Sequence, residues 1–244
     1  MTLIINAARP RIIASSNLPT KAQAITLDEC IETAKAVHDV SGLSVDLDRL
    51  TVHQLSEAEL PAELSFGEFA TIDHVAYTIT LALERIARSC GVKQRGFLKK
   101  AALAHEQAHL GHSSADPDIF PKNAAMNQSG PDEALLIHAF TETIAHFSTC
   151  EWAGEKKDLY QTISGLAYSP ENMCNWKIRA ANEPLDVGEL TIYYTNAGMA
   201  WMDNLKQEVF SGDSRMAVQF AVRHPPISLD EMITPQLYRQ RNKL

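Results

Sequence analysis

Residues 105–112 read HEQAHLGH, and the spacing of His105, Glu106 and His109 within them decides how the rest of the chain is understood. On an α-helix, positions four apart lie on one face, so the two imidazoles can converge on a single metal ion. Glu106 falls about 100° further round the helix, close enough to hold a metal-bound water without being a ligand. The preceding residues 97–104, FLKKAALA, contain no proline and are rich in strong helix formers. Leu98, Ala101 and Ala102 share a stripe with His105, which turns the histidines inward. The competing reading makes His105 and His109 hydrogen-bonded core histidines and Glu106 a solvated residue. The surrounding helix and a credible third ligand downstream weigh against it.

A zinc site that does chemistry takes three protein ligands and keeps one position open, so two histidines need a third partner. Residues 132–147, DEALLIHAFTETIAHF, run without a breaker after Ser129 and Pro131, a capping residue and a first-turn proline. His138, Glu142 and His146 stand four apart on one face of this expected helix. Glu142 lies among Phe140, Ile144 and Ala145, where a carboxylate is costly unless a cation meets it. His146, one turn on, is expected in a supporting role beside the ligands.

Elsewhere the periodicities are plainer. Thr26 to Glu29 is a capping-box sequence, and Leu27, Ile31, Ala34 and Val37 recur at helical spacing until Gly42. Partial alternation over residues 45–55, and apolar β-branched runs over 69–72 and 75–81, predict strands ahead of the metal helix. Such a strand beside a zinc helix can align an extended peptide through its main chain. Residues 1–23 are expected to form an amino-terminal arm over the surface, and residues 113–130 a loop. Helices are predicted over 157–164, 189–210 and 215–222, with a capped turn at 228–231. No repeat or charged linker divides the 244 residues, so residues 1–244 form a single domain.

A net charge of -8 argues against a nucleic-acid partner. The longest mainly apolar run, residues 75–83, is too short for a membrane span, and no secretory signal is visible, so a cytoplasmic protein is expected. Cys30, Cys90, Cys150 and Cys174 form no Cys-x-x-Cys pair and read as free thiols.

HEQAH followed by Glu142 in AFTETIA resembles the gluzincin group of zinc peptidases, in which one helix carries His-Glu-x-x-His and a second a glutamate ligand. Ala139 to Ala145 follow a glutamate-helix pattern like ALVEGDA, with Thr143 where glycine is usual. Residues 224–238, HPPISLDEMITPQLY, are similar to a tail segment of some gluzincin-like proteins, with Thr234 replacing a histidine. The longer metzincin motif needs a glycine and a histidine where this chain has His112 and Ala115. The resemblance implies a zincin-like α+β fold, with a small, mostly antiparallel sheet packed on the active-site helix and a mainly helical carboxyl half. It implies one zinc ion on His105, His109 and Glu142, and hydrolysis of a peptide or protein substrate with Glu106 as general base. The oxyanion donor is open among Tyr193, Tyr194, His224 and Tyr238. The alternative is a catalytically idle zinc-binding regulator on the same fold.

Overall fold

The computed structural model of the protein describes residues 9–18, 24–60, 69–119, 131–164, 179, 182 and 184–244. Cys174, the arm outside residues 9–18 and the part of the expected loop beyond residue 119 lie outside the described residues.

Residues 105–112 sit in the second half of a long helix. The elements in chain order are β1 (Arg11–Ala14), α1 (Leu27–Ser41), β2 (Thr51–Leu55), β3 (Ala70–Asp73), β4 (Thr78–Ala82), α2 (Leu83–Ser89) and α3 (Val92–Ala115). They continue with α4 (Pro131–Ala153), α5 (Lys157–Ser164), α6 (Val187–Asn204), α7 (Ser214–Arg223), α8 (Leu229–Ile233) and α9 (Pro235–Asn242). A π-helical turn, Leu205–Val209, extends α6. The capping box of α1 is formed, with Glu29 N donating to Thr26 Oγ1 at 3.2 Å and Thr26 N to Glu29 Oε2 at 3.0 Å. Helix α3 runs on to Ala115, so the chain leaves it three residues later than expected.

Helix α3 is the partition between two cores, which explains why it is apolar on more than one face. On one side Leu98, Leu103 and Leu110 pack with Val52, Ile79 and Leu81 of the sheet. On the other, the small residues Ala101, Ala104 and Ala108 share a core with Ile137, Phe140, Ile144 and Phe147 of α4. Small side chains on α3 leave room for the aromatic ones opposite, so the two helices lie side by side along the stretch that carries the histidines. Helix α1 also packs on α3, where a Cβ on Gly111 would meet Leu43 Cβ at 2.7 Å.

The four-stranded sheet has the order β1-β2-β4-β3 and corrects the expected mostly antiparallel arrangement. Strands β1 and β2, and β2 and β4, pair in parallel; only β3 and β4 are antiparallel. Helix α1 lies between β1 and β2 in the chain, the kind of crossover that makes neighbours parallel, while the short turn between β3 and β4 makes a hairpin. Alternation over five residues is the same in either direction, so the pattern alone did not fix it. Part of the expected arm, Arg11–Ala14, is the edge strand β1.

Candidate metal centre

The helical period brings His105 and His109 to one end of the α3–α4 contact, and the same period brings Glu142 and His146 to meet them from α4. His105 Nε2 and His109 Nε2 are 3.1 Å apart. Glu142 Oε1 lies 3.3 Å from His109 Nε2, and Glu142 Oε2 lies 3.5 Å from both His105 Nε2 and His146 Nε2. Ligands at 2.0–2.1 Å from a metal in a tetrahedron stand about 3.3 Å from one another, the order of the His105–His109 and His109–Glu142 separations. The group of potential ligand atoms that lie within 4.8 Å of one another and could hold a metal ion is His105, Glu142 and His146, with His146 where His109 was expected.

Tyr160, from α5, was not foreseen as part of the site. Its hydroxyl lies 3.2 Å from His105 Nδ1 and 2.7 Å from His146 Nδ1. A hydroxyl has one hydrogen to donate, so at least one of these Nδ1 atoms carries a proton and donates to it. That ring, when neutral, turns a bare Nε2 lone pair toward a carboxylate oxygen 3.5 Å away, an arrangement relieved by a cation between them.

Burial alone would raise the Glu142 carboxyl, but the His109 charge and hydrogen bonds from the His105, His109 and His146 rings outweigh it and hold it well below the usual carboxylate range. Burial, aided by His105, pushes His146 down to about 4 despite Glu142. Burial raises the Tyr160 phenol well above its ordinary value, so its hydroxyl stays protonated. The site therefore favours an anionic Glu142 beside a neutral His146, the forms in which these two groups bind metals.

A cleft of about 310 Å³ opens on this cluster, lined by His105, Glu106, His109, His138, Thr141 and Glu142 on the helical side. Ala70, Thr71, Ile72 and His74 of β3 and its turn line the opposite side. Glu106 is buried yet reaches the cleft. Because Ala82 N bonds Phe69 O at 2.8 Å, Thr71 and Asp73 turn their main-chain groups to β4. Ala70 and Ile72 turn theirs to the outer edge, where no strand pairs among the described residues.

Tyr193, Tyr194, His224 and Tyr238 do not line this cleft. Tyr238 is fully buried, with its hydroxyl donated to His224 O at 2.6 Å and its ring edge-on to Trp201. Tyr193 packs against Tyr194, which lines a separate depression beside Pro225 and Pro226. The His224 ring lies against Phe220. Two histidines that do reach the cleft are His74 and His138. His74 belongs to the turn after β3, a position that no helical spacing links to residues 105–109. Comparison with protein families, curated proteins and solved structures finds no match to the chain.

Proposed function

We propose that this chain is a zinc-dependent peptidase of the gluzincin type, with His105, His109 and Glu142 as ligands and Glu106 as general base. The observation that carries the reading is one cleft lined by all four residues and by the edge strand β3. A zinc ion bound there would supply Lewis acidity, polarising a water and a substrate carbonyl. Glu106 accepts the proton released from the attacking water and passes it to the leaving amine. Its burial keeps bulk water from competing for that proton. Ala70 and Ile72 present main-chain donors and acceptors to an extended peptide, which fixes the scissile bond over the ligands. His74 and His138 are the ring groups placed to contact the substrate carbonyl, in place of the tyrosines.

The second reading, a catalytically idle zinc-binding regulator, draws on His146 Nε2, whose approach to Glu142 offers the ion a further ligand. Incubation with a peptide library separates the two. Cleavage abolished by a chelator and restored by zinc is the expected result; zinc binding with no cleavage leaves the regulator.

A further inference from the structure

Four side chains, not three, converge between α3 and α4. His146 is placed as His105 is, atom for atom. The Nδ1 of each ring faces the Tyr160 hydroxyl, at 2.7 Å for His146 and 3.2 Å for His105. The Nε2 of each faces the same carboxylate oxygen, Glu142 Oε2, at 3.5 Å. The two rings lie 4.3 Å apart between centroids, and His109 stands on the Oε1 side of the carboxylate. A histidine that only supported the ligands would turn an acceptor to a ligand's outer nitrogen. Here that work falls to Tyr160, and His146 offers its own outer nitrogen to it.

Resting on the zinc site proposed above, we infer that His146 is a fourth protein ligand of the ion. The ligand set His105, His109, Glu142 and His146 closes the site when no substrate is bound. A substrate carbonyl would then have to join the ion beside all four side chains or take the place of His146. That step is absent from a three-ligand site, which keeps a position open. His146 is the ligand to be displaced because it is the one histidine of the set outside the His-Glu-x-x-His turn, and it carries no charge to hold it on the ion as Glu142 does.

Direct metal–nitrogen couplings test this without any activity measurement. The full chain, with ¹⁵N-labelled histidine, is loaded with ¹¹³Cd²⁺ as the probe, and one-bond couplings to ring nitrogens are counted. Three coupled nitrogens are expected, falling to two in His146→Gln. Two in the wild type, unchanged by His146→Gln, overturn the inference while leaving the three-ligand site in place. No coupling at all overturns the metal site itself. If His146→Gln fails to fold, the wild-type count decides, and Tyr160→Phe, which keeps every Nε2, should still show three.

Discussion

Thr143 and Gly198 face each other where α4 crosses α6, and a side chain on Gly198 would run into Thr143. A Cβ there would lie 2.8 Å from Thr143 Cγ2 and 2.8 Å from Met232 Cε. Thr143 directly follows Glu142, and Gly198 on the facing helix supplies the gap its side chain needs. Gly198→Ala should therefore cost about 1–3 kcal/mol by overpacking, although alanine is favoured over glycine in a helix by about 1 kcal/mol. Thr143 Oγ1 donates only to Ala139 O, one turn back, so Thr143→Ala should cost little and should rescue Gly198→Ala. Denaturant unfolding of the two single variants and the pair measures this. Additive effects would remove the steric account.

Tyr160→Phe should weaken metal binding by about 10–100-fold, the usual effect of losing an outer hydrogen bond to ligating histidines. Competition with a chelator of known affinity gives the number. The phenyl ring keeps the packing of a residue that is 6 % exposed, so the fold should persist. Unchanged affinity would mean that Tyr160 positions neither ring.

The residues legible in the sequence were those governed by a local period. His105, Glu106, His109 and Glu142 sit on two helices, and a period of 3.6 states which face each residue joins. Strand direction was not legible, because alternation is blind to it and the crossover that sets it is a long-range matter. Tyr160 and His74 were not legible as site residues either. One comes from a short helix after α4 and the other from a hairpin turn, and only the packing of those elements on α3 brings them to the site. The tyrosines of the carboxyl half do not line the cleft, and Tyr238 is taken up by the core it helps to build.

Stability should fall with acid through a group outside the ligand set. His112 is fully buried, edge-on to Phe140, and burial, with His109 and His74 nearby, pushes it down to about 3. An unfolded histidine titrates near 6.5, so the unfolded chain takes up this proton first. The contribution is complete above about pH 6.5 and is lost progressively as the pH falls toward the folded value of about 3. Urea midpoints of wild type and His112→Phe are compared in chelator from pH 7 to pH 4, and the wild-type midpoint should fall relative to that of the variant as the pH drops. Parallel curves would show that His112 is not the group responsible.

Ala70→Pro and Thr71→Pro should behave oppositely if the outer edge of β3 binds substrate. Proline at Ala70 removes an N–H on the outer edge of β3 and leaves the ladder to β4 intact. Cleavage of an extended peptide should drop by up to about tenfold, the worth of one hydrogen bond, with zinc content and unfolding midpoint unchanged. Proline at Thr71 breaks a ladder bond and should lower the midpoint. Full activity in Ala70→Pro would place the substrate elsewhere.

Glu106 has a claim to chemistry because it lines the cleft beside both histidines, one residue after the first of them. Glu106→Gln keeps the size of the side chain and removes the base. Bound zinc and the unfolding midpoint should stay near wild type, while peptide turnover falls by roughly 100-fold or more, the scale of losing a positioned proton acceptor. His105→Ala should instead lose the metal, because one edge of the ligand cluster disappears with it. Zinc content and single-turnover rates, measured on the same preparations, distinguish a chemical loss from a binding loss. A zinc-loaded Glu106→Gln protein with undiminished turnover would exclude Glu106 as the base. The proton would then have to leave through another group lining the cleft, with His74 and His138 the next to substitute.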